Sequence, residues 1–190
     1  AGVRHTFSNK IRIEGGYFRN DITDEIYLNS DPFVYNNVNY DKTIHQGGQL
    51  FIDIPITKSV QFFSNYSFTQ AKFGKGFLKG KQIPGVPTHK ATAGLRLSPT
   101  EKIKINLVGN YMGSMYLISD QQNDHPLLKN WLAVNINVNY TLGNMDLFFG
   151  INNIFNAYYS EYGIFSTFSN AQAFYPAPGR NVTAGVRYKF

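Results

Sequence analysis

The sequence contains no cysteine, which excludes disulfide and zinc–thiolate frameworks. It also lacks any apolar run approaching the roughly 20 residues of a transmembrane helix. That absence excludes helical spans only, because a transmembrane strand carries its apolar residues at alternate positions. No G-x-S-x-G, H-E-x-x-H or P-loop pattern is present, so neither catalytic residues nor a cofactor is expected. Gly74, Gly76 and Gly80 lack dinucleotide-binding spacing and read as a flexible loop. His5, His45, His89 and His125 are scattered, so no metal site is expected. The chain opens on Ala1-Gly2 without an initiator methionine or signal-peptide pattern, as a mature secreted protein or a fragment does.

What the sequence does have is aromatic residues: 16 Phe and 13 Tyr in 190 residues, beside one Trp. Aromatics favour strands and membrane interfaces. They fall within a period-two pattern, clearest at the end, where Val182, Ala184, Val186, Tyr188 and Phe190 alternate with Thr183, Gly185, Arg187 and Lys189. Similar stripes run through Ile11, Ile13 and Tyr17, and through Leu50, Ile52, Ile54 and Ile56. Others are Val60, Phe62, Tyr66 and Phe68; Ala91, Ala93, Leu95 and Leu97; and Ile103, Ile105, Leu107 and Tyr111. Leu132 to Leu142 and Met145 to Phe155 complete the series. With a stub at residues 1–7, this predicts an all-β, antiparallel chain of about nine strands, with at most a turn at Tyr158 to Tyr162.

Short and long connections alternate. Ser8-Asn9, Thr57-Lys58, Pro99-Thr100-Glu101 and Gly143-Asn144 read as tight turns, and residues 29–37, 74–87, 121–129 and 157–179 as long loops. Turns at one end and loops at the other are the layout of an outer-membrane β-barrel, whereas a soluble sheet has no reason to sort its connections. The apolar stripes contain no Asp, Glu, Lys or Arg, which indicates burial in lipid or in a core. The opposite phase holds Arg12, Glu14, Asp53, Lys90, Arg96, Lys104, Asp146, Arg187 and Lys189, as a hydrated lumen or a polar plug contact requires. Phe51, Phe63 and Phe148 share that phase and are expected to pack locally. Tyr140, Tyr188 and Phe190 near the turns, and Tyr116 and Trp131 near the loops, are expected to form two interfacial girdles.

Three further segments carry a family resemblance. Tyr175-Pro176-Ala177-Pro178-Gly179-Arg180-Asn181, leading into the last strand, resembles the closing motif of TonB-dependent receptors. Gly150-Ile151-Asn152-Asn153-Ile154-Phe155-Asn156 with Tyr158-Tyr159 resembles their penultimate strand, and Ile83 to Lys90 resembles a loop-to-strand segment of the same barrels. Asp41-Lys42-Thr43 with Gly47-Gly48-Gln49-Leu50 matches more loosely, because the pattern calls for Glu where Gln49 stands. The final Val186, Tyr188 and Phe190 resemble the signal that outer-membrane proteins present to the barrel-assembly machinery.

The resemblance implies that residues 1–190 are the C-terminal portion of a 22-stranded barrel in a Gram-negative outer membrane. The remaining strands, the N-terminal plug and its contact with the TonB complex are then expected from the rest of the receptor. It implies active uptake of a scarce nutrient, typically a ferric siderophore or other metal chelate, with outer-membrane lipid and lipopolysaccharide as surroundings and no nucleic-acid partner. Ligand contacts are expected in the loops, at Lys75, Lys79, Lys81 and His89 and at Tyr159, Tyr162 and Phe165. The lysines can draw an anionic chelate. They also fit contact with lipopolysaccharide phosphates or simple solvation; the net charge of +6 fits an attraction for anionic ligands or lipopolysaccharide, or a mildly basic surface; and the aromatics can equally pack the loop. A self-contained small barrel with a structural, adhesive or enzymatic role, and a soluble β-domain, remain open on the residues alone.

Overall fold

The computed structural model describes residues 1–28, 37–166 and 168–190. The described residues form thirteen strands and no helix. They are β1 (Gly2–Thr6), β2 (Arg12–Ile22), β3 (Glu25–Leu28), β4 (Asn37–Tyr40), β5 (Thr43–Pro55), β6 (Val60–Phe73), β7 (His89–Leu97), β8 (Ile103–Met112), β9 (Trp131–Leu142), β10 (Met145–Asn152), β11 (Ser160–Ser166), β12 (Ala171–Pro176) and β13 (Asn181–Tyr188). Nine of them make one antiparallel sheet in the order β1-β2-β5-β6-β7-β8-β9-β10-β13. The other four form two hairpins, β3–β4 and β11–β12, which extend the strands they connect beyond the sheet.

The sheet matches the nine-strand reading, and its register carries the apolar stripes across neighbours. One row passes through Ile54, Phe62, Leu95, Leu107, Ile136, Ile151 and Val182 as directly paired residues. A slip of one residue in any pairing would break such a row, because side chains alternate faces.

Two facts separate this sheet from a soluble sandwich. The apolar rows are not covered: Leu132 in β9 is 55% exposed, and Val182 and Val186 in β13 are exposed too. The buried apolar clusters lie instead at the long-loop end. One is Ala71, Phe73, Leu78 and Ile83; the other is Met115, Leu117, Leu128 and Phe165. A sheet whose apolar face stays bare while its loops are packed is matched to lipid, where ladder hydrogen bonds satisfy the backbone.

On the other face, Phe63 and Phe148 lie over glycines paired with them across the strands, Gly94 and Gly185. A Cβ on either glycine would overlap the ring. The Arg96 guanidinium sits 4.3 Å above the Phe63 ring and that of Arg12 4.6 Å above Phe51. The three phenylalanines in the wet phase therefore do pack locally, and arginine covers two of them.

Four expectations change. Residues 157–179 are not one open loop: Tyr162 pairs with Tyr175 and Ile164 with Ala173, making the β11–β12 hairpin. Tyr158 to Tyr162 is not a turn, because Ser160 onward is strand. The stripe from Met145 stops at Asn152, since Asn153 turns the chain with φ 51° and leaves Phe155 beyond the strand. Trp131 does not join an outer girdle. It pairs with Met112, in the row of Lys90 and Ser67, and so shares the wet face. Of the loop expected at 29–37, residues 29–36 lie outside the described residues, and Asn37 begins β4.

The β3–β4 hairpin docks on the sheet through Tyr27, Tyr40 and Phe73, with the Tyr40 and Phe73 rings 4.8 Å apart. The Glu25 carboxylate accepts from the Thr43 hydroxyl and lies 3.1 Å from His45 Nε2, tying the hairpin to β5. Burial, reinforced by Glu25 and Tyr40, pushes the Tyr27 phenol up to about 12. The docked state thus keeps a proton that the undocked phenol loses near pH 10. Docking is unaffected below pH 10 and weakens as pH rises from about 10 to 12. An absorbance titration at 295 nm should show one tyrosinate that is missing with Tyr27→Phe, titrating late and together with loosening of the hairpin.

Candidate ligand-facing site at the long-loop end

The site is built by the connections at one end of the sheet, and these interlock. The segment 74–88 folds back on β6. Phe73 N–H donates to Lys81 O, Ile83 N–H to Ala71 O, and Leu78 and Ile83 enter the Phe73 cluster. The Asn123 side chain then joins this segment to the next long connection. Its Oδ1 accepts from Gln82 N–H at 2.6 Å, and its Nδ2 donates to Gln82 O at 3.0 Å. Asp120 holds that connection in shape. Its buried carboxylate accepts the backbone N–H of Asp124 and of His125 and lies 3.0 Å from His125 Nδ1. The His125 ring stacks on Phe165 of β11 at 3.5 Å. Ile118 bridges to Ile164, with Phe165 N–H donating to Ile118 O.

Asp120→Ala removes the acceptor for two backbone N–H groups and one ring nitrogen. It should destabilise this connection by about 2 kcal/mol without unfolding the sheet. Amide exchange should accelerate across residues 117–128 and remain slow in β8 and β9.

The β11–β12 hairpin is fastened to the sheet by the two Asn-containing motifs. Asn153 is buried, and its N–H donates to Asn135 Oδ1 at 2.8 Å. Its Oδ1 accepts from Ala157 N–H, while its Nδ2 donates to Ala157 O at 2.9 Å and to Pro178 O at 3.4 Å. Asn156 Oδ1 accepts from Arg180 N–H at 2.9 Å, and Asn152 Nδ2 donates to Asn181 Oδ1. Asn153 and Asn156 both have positive φ, a conformation that Asn tolerates well. The segments 150–156 and 175–181, separate in sequence, are one clasp between the end of β10 and the start of β13.

Beneath this rim the wet face hollows into a space of about 990 Å³, lined by Glu14, Asn65, Thr92, Asn110, Trp131 and Tyr159 among others. Trp131 and Tyr159 stack at 4.3 Å, and the Trp131 Nε1–H is buried without a hydrogen-bond partner. Burial, with a smaller contribution from Glu161, raises the Tyr159 phenol above its ordinary value. The hollow thus offers polar amides and hydroxyls with an aromatic wall, the mixture that orients a small ligand.

The residues expected to touch ligand do not converge. Tyr159 lines the hollow, and Lys90 joins it there. Lys75 and Lys79 stand exposed on the folded segment above, and Lys81 lies 3.9 Å from Asp124. His89 sits on the apolar face, with Nδ1 2.7 Å from the Tyr66 hydroxyl and its ring against Phe68. Tyr162 stacks on Tyr175 along the hairpin, and burial, then Tyr175, raises its phenol. Phe165 is buried between loops. Sequence reasoning missed Trp131 as a lumen residue, although its odd position beside the apolar Leu132 and Val134 carried the signal.

Comparison with known proteins agrees with this architecture. A family model described as TonB dependent receptor-like, beta-barrel, matches residues 1–154. The iron-regulated outer membrane virulence protein of Vibrio cholerae serotype O1 is 26% identical over 130 residues, 66% of this chain and 20% of that protein. The ferric yersiniabactin uptake receptor FyuA of Yersinia pestis superposes with a TM-score of 0.81 over 100% of this chain and 29% of its own, at 17% identity. The ferric-catecholate import receptor Fiu of E. coli K12, in its closed form, gives 0.72 over 97% and 26%, at 21% identity. The chain spans about a fifth of the length of the curated relatives it matches. Its place is the outer membrane of a Gram-negative bacterium. By its bare apolar rows, its packed rim and the family match over most of its length, the chain belongs to the TonB-dependent receptor β-barrel family.

Proposed function

We propose that residues 1–190 are the C-terminal part of the barrel wall of a receptor for active, TonB-dependent uptake of a scarce nutrient, a ferric siderophore or other metal chelate. The observation that carries this reading is the hollow below the interlocked rim, with Trp131 and Tyr159 stacked on its wall. The relatives named for ferric yersiniabactin uptake and ferric-catecholate import support the cargo class. In the described sheet β1 and β13 each have one neighbour, and open edges are not tolerated in hydrocarbon. The other strands of a 22-stranded barrel, a plug and its contact with TonB are accordingly assigned to the rest of the receptor.

Ligand binds outside, against the loops and the plug, and coupling through TonB moves the plug to open a path. These residues supply wall, rim and some contacts, among Lys75, Lys79, Lys81, His89, Tyr159, Tyr162 and Phe165, and no covalent chemistry. Val186 and Tyr188, exposed on the apolar face of β13, and the exposed Phe190 just beyond its end are assigned to recognition by the assembly machinery. Lipid and lipopolysaccharide surround the outer face. The test is uptake of iron-55 chelates by cells expressing the full-length receptor, with and without functional TonB. Uptake that needs both supports the reading; uptake that persists without TonB overturns the mechanism.

A further inference from the structure

A second concavity opens on the wet face at the opposite, short-turn end. It measures about 720 Å³, and its charged lining is Lys102, Lys104, Arg187, Lys189 and Asp146. Four cations thus face one carboxylate. That carboxylate is already engaged: Asp146 lies 2.8 Å from Lys189 Nζ, accepts from the Thr141 hydroxyl at 2.9 Å, and feels the charge of its cross-strand partner Arg187. Lys102 and Lys104 have no acidic partner among the described residues.

Register explains why these charges meet. Asp146 pairs with Arg187, Phe148 with Gly185, and Lys104 with Asn139, which itself pairs with Phe148. Lys104, Asp146 and Arg187 therefore project from one face within two rungs of each other. Asn106, Asn137 and Asn139 floor the concavity with neutral amides. Gly150 lets Asn137 lean across it, since a Cβ there would come 2.7 Å from Asn137 Oδ1. At the long-loop end the hollow is balanced instead, with Arg4 and Lys90 set against Glu14 and Glu161.

Unpaired cations on a low-dielectric wall raise the local concentration of anions. A concavity of this volume suits a small molecule. We propose that this basic concavity is a transit site for anionic cargo leaving toward the periplasm, specifically a chelate bearing carboxylate or phosphate groups. The inference rests on the uptake reading and narrows its cargo to anions. The rim captures cargo; Lys102, Lys104 and Arg187 hold it weakly on the way out. Their role is therefore in the rate of passage and not in capture.

The experiment uses the full-length receptor in cells and two iron-55 probes, the ferric citrate complex and a neutral ferric trihydroxamate. The variant is Lys102→Gln with Lys104→Gln, exposed positions whose loss breaks no ion pair. Wild type should take up ferric citrate in a TonB-dependent way. The variant should take it up at least about five-fold more slowly while binding it equally at the cell surface on ice. Uptake of the neutral complex alone by wild type, or equal slowing of both probes, overturns this inference and leaves the receptor reading standing. So does a loss of surface binding that matches the loss of uptake. New sensitivity of the variant cells to a large antibiotic such as vancomycin, with citrate uptake unslowed, assigns the lysines to docking an acidic plug surface and also overturns it. Uptake of neither probe by wild type overturns this inference, since the carboxylate chelate does not pass, and leaves the receptor reading to its own test of TonB dependence.

Discussion

Replacing Asn153 by Ala in the full-length receptor is expected to lower its stability by about 3 kcal/mol and to release the β11–β12 hairpin. Two independent losses add. The side chain makes one accepting and two donating hydrogen bonds in a buried site, and leaving the Ala157 and Pro178 backbone groups without it costs about 1–3 kcal/mol. The residue also has φ 51°, where Ala is disfavoured by about 1–2 kcal/mol. Asn153→Gly separates the two, because glycine accepts the backbone but makes none of the bonds; it should retain about 2 kcal/mol of the defect. The unfolding midpoint in detergent reads the total. Protease cutting between residues 157 and 179 reads the hairpin. If both variants resist protease as wild type does, the clasp does not hold the hairpin. Only the hairpin and the start of β13 should respond, since β5 to β9 pair without help from this clasp.

The same residues show what is legible in a sequence of this kind. The nine strands and their faces could be read because lipid on one side and water on the other impose a period of two, and no core obscures it. Sheet register follows from the same alternation. The hairpins were hidden because β3, β4, β11 and β12 lie outside the membrane, where no solvent boundary sorts their faces; Glu25 to Leu28 and Ala171 to Pro176 do not alternate cleanly. Two of the motifs form one unit only in three dimensions: Asn153 and Asn156 belong with Pro178 and Arg180, some two dozen residues away. Residue type marks a ligand candidate, but type does not say where a loop folds. Phe165 lies in the loop core and His89 on the apolar face beside Tyr66, and of Tyr159, Tyr162 and Phe165 it is Tyr159 that lines the hollow. Parity places Trp131 on the wet face, against the general preference of tryptophan for membrane interfaces.

The loosest of the motif matches makes the sharpest demand on a single atom. A Cβ on Gly47 would overlap the Phe68 carbonyl oxygen and lie 3.0 Å from its carbon and 3.1 Å from Phe18 Cε1. Gly47 pairs with Thr69 on one side and Phe18 on the other, in the middle of the longest pairing of the sheet. A carbonyl oxygen in a strand ladder cannot turn away as a flexible side chain can, so Gly47→Ala must push β5 and β6 apart. The expected cost is about 3 kcal/mol or more, near the upper end of what overpacking produces. Because β6 also anchors the segment 74–88 through Ala71 and Phe73, the rim should loosen with it. Gly15→Ala is the control: nothing lies within 4 Å of its Cβ, and it should behave as wild type. Heat-modifiable electrophoresis of the full-length receptor from outer membranes should show little folded Gly47→Ala protein and normal Gly15→Ala protein. Equal folded fractions would mean that β5 and β6 can separate at Gly47 at little cost, and that the glycine is not required by close backbone approach.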